Sequence, residues 1–272
     1  MPTTPTAPAD AAPTPVDLRA VIFDVDGTLA DTELNGHLPA FNQAFAEAGL
    51  GWHWSAPEYL RLLAIAGGKE RMIHYARTQH PDVAARADFA ELITHLHQEK
   101  TRHYAARAAA GATPLRPGIR RLLDEIADAG LTAAIATTTT LANVHALLRA
   151  QLGAGGEKRF AVIGAGDSVA RKKPAPDIYQ WALAELGLSS EACLAIEDSA
   201  IGVAAARAAG LPVVVTAHAE SIGEDFSGAR AVLDGLGDPA PAEGARALAG
   251  TPPADHAVTL ADLRRWHAES VR

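Results

Sequence analysis

Two aspartates spaced two apart close an apolar run in VIFDVDGTLADTE, residues 21–33. Asp24 and Asp26 repel one another, and each is costly to desolvate. A chain that puts both at the end of a buried strand needs compensating positive charge, and a metal ion supplies it. Three other segments offer polar groups in the same setting. ATTTT, residues 136–140, places Thr137 and Thr138 after an apolar run. KKPAPD, residues 172–177, places Lys172 and Lys173 just before a helix start. IEDS, residues 196–199, places Glu197 and Asp198 after another apolar run. Carboxylates, hydroxyls and a lysine gathered at one place would suit a hard cation and a phosphoryl group.

Roles follow from the chemistry. Mg²⁺ takes oxygen ligands and keeps several waters, so Asp24, Asp198 and the backbone carbonyl of Asp26 suffice to hold it. A carboxylate facing a metal-bound phosphate can attack phosphorus and form an aspartyl-phosphate. Asp26 is placed to protonate the leaving oxygen and then to deprotonate the attacking water. Thr137 and the adjacent amide would hold phosphoryl oxygens, and Lys173 would neutralise charge that shifts during transfer. Taken singly, each segment has a plainer reading. An Asp-x-Asp pair can be a solvated turn, four threonines a β-branched strand end, two lysines a surface pair, and Glu-Asp-Ser a helix cap with first-turn acids. Their succession at four strand ends of one chain favours the chemical reading.

The elements that must position these groups are legible in the apolar pattern. Strand-like runs recur at residues 19–23, 132–136, 160–163, 194–196 and 212–215, with helix-like stretches such as GIRRLLDEIADAG and SAIGVAAARAAG between most of them. This alternation predicts an α/β fold with a doubly wound parallel sheet, whose ligands bind outside the carboxyl ends of the strands. Residues 33–113 carry helical patterns and no convincing strand, which is too long for a crossover and predicts an inserted helical domain. The expected organisation is a disordered tail over 1–17, a core over 18–32 and 114–272, and a helical cap over 33–113. After residue 238 the chain is rich in Pro, Gly and Ala before a last short helix in AVTLADLRRWHAESVR.

Composition narrows the function further. With 272 residues and a net charge of −8, the chain lacks the basic balance that nucleic-acid binding needs. Its one cysteine, Cys193, excludes an internal disulfide and fits a reducing compartment as a core thiol. No apolar run is long enough to cross a bilayer. The Pro/Thr/Ala-rich start has no basic residue and no apolar h-region, so neither a secretory signal nor a transit peptide is expected, and the cytoplasm is.

FDVDGTLADTE, ATTTT, KKPAPDIY and IEDSAIG resemble, in order, the four motifs of the haloacid dehalogenase-like (HAD) superfamily, over most of residues 20–238. The resemblance implies a Rossmann-like core with a helical cap inserted after the first motif. It implies Asp24 as nucleophile, Asp26 as acid and base, Asp24, Asp26 and Asp198 as Mg²⁺ ligands, and Thr137 and Lys173 on the phosphate. Glu197 would tune the site or hold a metal-bound water. Lys173, directly before proline, takes the family position; the run Thr137–Thr140 leaves open which threonine holds the phosphate, Thr137 or Thr138 being the first choices.

The cap then carries the substrate preference. In IAGGKERMIHYA two glycines precede Lys69, Glu70 and Arg71 at an expected helix start, so exposed amides with Lys69 and Arg71 would form an anion site. The plainer alternative is a solvated helix face. Arg116 of LRPG adds a cation at the return to the core, while Glu33 and His37 would touch sugar hydroxyls. DTELNGHLPAFN, GGKERM, LHQEKT, LRPG and EDSAIG together resemble the CbbY-type branch, phosphatases of xylulose 1,5-bisphosphate. That resemblance implies a small phosphorylated sugar as substrate, with a second phosphate held by Lys69, Arg71 and Arg116; a monomer is expected. His97 and Lys100 of LHQEKT also match the branch. Competing readings are a sugar phosphomutase of the β-phosphoglucomutase kind, a phosphoglycolate phosphatase and a non-catalytic phosphate-ligand binding protein. Thr28 after the Asp-x-Asp-Gly favours a hydrolase over the mutases, which tend to have an aliphatic residue there.

Overall fold

In the computed structural model, which describes residues 16–219, 221–238 and 244–269, the apolar runs become strands because both of their faces are covered. All four residues of β1 (Ala20–Phe23) are buried. Val21 and Phe23 join a core with Leu122, Leu147 and Trp266 on one side, and Ala20 and Ile22 join a second core with Tyr179 and Ala205 on the other. β2 (Thr132–Ala136), β3 (Val162–Gly164), β4 (Cys193–Glu197), β5 (Val213–Thr216), β6 (Ala231–Leu233) and β7 (Ala247–Gly250) complete one seven-stranded sheet in the order β3-β2-β1-β4-β5-β6-β7. Every neighbouring pair is parallel except the antiparallel β6–β7. This is the doubly wound α/β architecture that the alternating pattern predicts.

Two strands were not foreseen. β6 has three residues, and β7 reads ALAG, half exposed and without period-two alternation. Their pairing partners, not their own composition, make them strands. The start expected for β3 also differs, since Phe160 packs into the core just before the strand. The tail expected over residues 1–17 lies almost wholly outside the described residues.

Helices cover both faces. α6 (Ile119–Asp128), α7 (Leu141–Leu152) and α10 (Leu260–Ala268) supply the first core, and α8 (Asp177–Leu186) and α9 (Ala200–Ala208) the second. α9 presents Gly202, Ala205 and Ala206 to the sheet, small enough for close approach. No described helix is long and apolar enough to cross a membrane.

The chain leaves this sheet at Asp31 and returns at Pro114, where Asp31 N–H donates to Pro114 O at 3.1 Å and Ala30 pairs with Leu115. Between these points lie α1 (Leu38–Glu47), α2 (Ala56–Leu62), α3 (Gly68–Gln79), α4 (Pro81–Ala84) and α5 (Phe89–Ala109), with no strand among the described residues. They enclose an aromatic core of Phe41, Phe45, Trp52, Trp54, Tyr59 and Tyr75, with Phe41 and Trp54 centred 4.8 Å apart. The insertion opens on a π-turn, Glu33–His37, the kind of wide turn that often marks functional positions. It leaves His37 buried and stacked on Tyr104 at 4.2 Å.

Candidate active site

Asp24 follows β1 directly, and the tips of β1 and β4 bring it beside Lys173 and Glu197. Lys173 Nζ donates to Asp24 Oδ1 and to Glu197 Oε1, both at 2.6 Å. The Tyr179 hydroxyl donates to the same Glu197 oxygen. Burial pushes the Asp24 carboxyl well above the ordinary carboxylate range; Lys173 opposes this, and Glu197, Asp198 and Asp26 add to it. Burial likewise raises Glu197. For Lys173 the sign reverses: burial works against its charge, but Asp24 and Glu197 outweigh it and hold the ammonium charged.

Asp24, Glu197 and Asp198 each offer a carboxylate oxygen, and the three oxygens lie within 4.8 Å of one another. One lysine does not balance three carboxylates, so a hard divalent cation fits this set. Asp24 and Asp198 face a cavity of about 430 Å³, whereas Glu197, expected at the metal, is fully buried outside the cavity wall. Glu197 gives one oxygen to Lys173 and Tyr179; the other has no hydrogen-bond partner among the described residues and abuts Gly202, where a side chain would overlap it. Its evident service is to hold Lys173.

Asp26 joins the sheet to the insertion. Its Oδ1 accepts from Thr32 Oγ1 at 2.7 Å and from His37 Nε2 at 2.9 Å, and His37 Nδ1 lies 2.8 Å from Lys100 Nζ. A charged lysine has no lone pair to offer, so Nδ1 accepts and Nε2 carries the proton toward Asp26. Burial alone would raise the Asp26 pKa, but His37, Thr32 and Lys100 bring it down to about 2. Burial lowers Lys100 to about 8.

The threonine run divides its labour. Thr137 is buried beneath the site, its N–H on Gly164 O at 3.0 Å and its Oγ1 accepting from Thr139 N–H at 3.3 Å. Thr138 and Thr139 line the cavity. Thr140 caps α7 by accepting from Asn143 N–H. Ser199 caps α9, as the plainer reading of Glu-Asp-Ser expects, but Glu197 and Asp198 precede the cap and α9 has no acid in its first turn.

On the insertion side, Glu33, His37, Arg71 and Lys100 line the cavity. Glu33 accepts from the Tyr59 hydroxyl. Arg71 is buried, donating to Leu62 O at 3.1 Å, Tyr59 Oη at 3.1 Å and Ile65 O at 3.3 Å. A narrower adjoining crevice shares Gly68, Lys100, Thr138 and Thr139 with the cavity and adds Lys69, His97 and Lys172. His97 is driven down to about 3 by burial and by Lys100, Lys69 and Lys172 around it. Lys172 also bridges to Glu70 at 3.1 Å, tying the core to the insertion. Gly67, read from sequence as part of an anion site, has φ +96° at the start of α3, and a side chain there would overlap Glu70. The turn itself therefore requires that glycine.

Arg116 is the residue that sequence reasoning misplaced. Its guanidinium donates to the carbonyls of Gly27, Thr216 (2.6 Å), Ala217 (3.0 Å) and Asp234 (3.3 Å), and it does not line the cavity. It clasps segments of the core, because so many buried carbonyls need donors there. Thr32 and His218 carry no role in the sequence reading, nor does Lys100, while Thr139 belongs to the threonine run left open there. Thr32 lies within the first motif. His218, which lines the cavity and whose Nε2 is 2.9 Å from Asp198 Oδ2, has no local sequence signal.

With an aspartate pair, a strand-end hydroxyl run, a lysine and a second acidic pair at one sheet edge beneath a helical insertion, the chain belongs to the haloacid dehalogenase-like hydrolase family, matching it over residues 18–210, and it is a phosphatase, a phosphoric monoester hydrolase. It is 55% identical over 251 residues to Protein CbbY of Cupriavidus necator, covering 92% of this chain and 97% of that one. It is also similar to a solved mutant of CbbY from Rhodobacter sphaeroides in complex with xylulose-(1,5)bisphosphate. That match has 45% identity and a TM-score of 0.74, over 80% of this chain and 94% of the other. A structure of CbbY from the same organism in complex with phosphate matches with a TM-score of 0.75 at the same identity and coverage.

Proposed function

We propose that this phosphatase is Mg²⁺-dependent and hydrolyses a sugar bisphosphate, xylulose 1,5-bisphosphate best of all, through an aspartyl-phosphate on Asp24. One observation carries the reading: a carboxylate- and lysine-lined cavity adjoins a crevice lined by Lys69, Lys172 and Lys100 with Asp167. With a divalent ion on the cavity carboxylates, both ends would attract anions, which suits a ligand with a phosphate at each end. The complex of the Rhodobacter sphaeroides relative with that bisphosphate supports the choice of sugar.

Asp24, Asp198 and the Asp26 carbonyl would hold the ion, which when bound neutralises phosphoryl charge and offsets the clustered carboxylates. The residues of the chain do the rest. Lys173 and the hydroxyls of Thr138 and Thr139 orient the phosphoryl group, and Asp24 Oδ attacks phosphorus as the sugar oxygen leaves. That oxygen needs a proton, which Asp26 delivers, and Asp26 then takes one from the water that cleaves the acyl-phosphate. The His37–Lys100 pair favours ionised Asp26, the form required in the second step. The helical insertion acts as a cap that excludes water during transfer. In the crevice, Lys69 and Lys172 would hold the distal phosphate, and Arg71 stiffens the wall through its carbonyl contacts.

A substrate panel tests this. Xylulose 1,5-bisphosphate should be hydrolysed far better than ribulose 1,5-bisphosphate or phosphoglycolate. In Lys69→Ala, KM for the bisphosphate should rise about tenfold or more, as loss of one charge-assisted hydrogen bond implies, with little change for p-nitrophenyl phosphate. A panel led by phosphoglycolate or β-glucose 1-phosphate would overturn the substrate reading, and equal effects of Lys69→Ala on both substrates would remove the distal site.

A further inference from the structure

Of the three clustered carboxylates, Asp198 is the one that Lys173 does not serve, since the two hydrogen bonds of Lys173 go to Asp24 and Glu197. Thr28 Oγ1 reaches Asp198 Oδ1 only at 3.4 Å. The firm contact comes from the loop after β5, where His218 Nε2 lies 2.9 Å from Asp198 Oδ2, with both side chains largely buried at the cavity wall. That loop is fastened near the imidazole and again near Asp198. His218 N–H donates to Ser221 Oγ at 3.2 Å, and Ser221 N–H returns to His218 O at 3.0 Å. Glu224 Oε2 accepts from Ala200 N–H at 2.6 Å, two residues beyond Asp198.

The first motif makes room for this pair. Gly27 has φ +81°, and a Cβ there would overlap the Asp198 carboxylate and come within 3.0 Å of His218 Nε2. A glycine in the left-handed region leaves the backbone close under both side chains. Residues that fix the orientation of a metal-binding carboxylate typically govern ion affinity, because a ligand free to rotate must be ordered when the ion binds.

We propose that His218 is a positioning residue for the ion. By donating from Nε2 to Asp198 Oδ2 it locks the carboxylate plane and keeps Oδ1 available as the ligand oxygen. This rests on the reading of Asp24 and Asp198 as metal ligands, and it extends the site to a loop outside the four motifs.

The test is Mg²⁺ titration of the substrate-free protein by calorimetry. In His218→Leu the dissociation constant should rise roughly 10–100-fold. In His218→Gln, whose amide keeps a donor near the Nε2 position, it should stay within about threefold of wild type. Ser221→Ala, which loosens the loop and leaves the imidazole in place, should weaken binding by less than His218→Leu. Melting temperatures without Mg²⁺ should not follow the affinity order, which separates positioning from general destabilisation. Wild-type affinity in His218→Leu overturns the assignment. So does equal weakening in the Leu and Gln variants, or tighter binding in the Leu variant, which would mean that His218 competes with the ion. Asp198→Asn serves as the reference for the metal reading itself. If it weakens binding while His218→Leu does not, only the role of His218 fails; if wild type binds no Mg²⁺, both fail.

Discussion

Asp24→Asn should lower kcat by at least about 10⁴-fold, because an amide cannot attack phosphorus. The change is nearly isosteric, so the fold should survive it. Stability offers a second readout with a defined sign. The Asp24 pKa is raised in the folded protein, first by burial. A group raised in this way favours folding while protonated, and that contribution is lost as pH rises through the folded pKa. Above that pKa and without Mg²⁺, ionised Asp24 therefore strains the native state, and the amide relieves that strain. Asp24→Asn should melt no lower than wild type while being inactive. Residual turnover near the wild-type rate would remove Asp24 as nucleophile.

Lys173→Met should be almost as damaging to activity and, unlike Asp24→Asn, damaging to stability. Loss of its charge from the phosphoryl site should reduce kcat/KM by about 10²–10³-fold, the usual effect of deleting one preorganised donor. It would also leave Asp24 and Glu197 buried side by side without their shared cation, at a cost of about 3–5 kcal/mol for breaking a buried pair. Mg²⁺ should recover part of that stability, as should a second change, Glu197→Gln, without recovering activity. Phosphate release and thermal melts of the single and double variants measure both effects. A Lys173→Met protein of wild-type activity would contradict the placement of the phosphoryl group beside Lys173.

Much of this site could be seen in the chain before its structure, for a physical reason. In a parallel α/β sheet the functional edge is built from strand ends, so Asp24, Asp26 and Asp198 each sit within a few residues of an apolar run that announces them, while Lys173 is marked by the helix start that follows it. The sheet, its winding and the long helical insertion follow from the same runs. What could not be read is what depends on partners distant in sequence. Arg116 looks like a phosphate-binding cation until the carbonyls of Gly27, Thr216, Ala217 and Asp234 are seen around it. Four identical threonines cannot be told apart until one is buried, two line a cavity and one caps a helix. β6 and β7 depend on the strands they pair with. His37 and Lys100 are 63 positions apart, and only the packing of the insertion makes them one hydrogen-bonded pair aimed at Asp26.

In the proposed mechanism the oxygen-bearing ends of neighbouring strands gather around one divalent ion so that Asp24 captures the phosphoryl group. The most direct measurement is acid quenching of the reaction during turnover, followed by mass spectrometry of proteolytic peptides to locate the phosphoryl group. The expected product is a phosphorylated peptide containing Asp24, formed only with Mg²⁺ and lost in Asp24→Asn. A phosphoryl group on any other residue, or undiminished turnover after complete chelation of divalent ions, would contradict it.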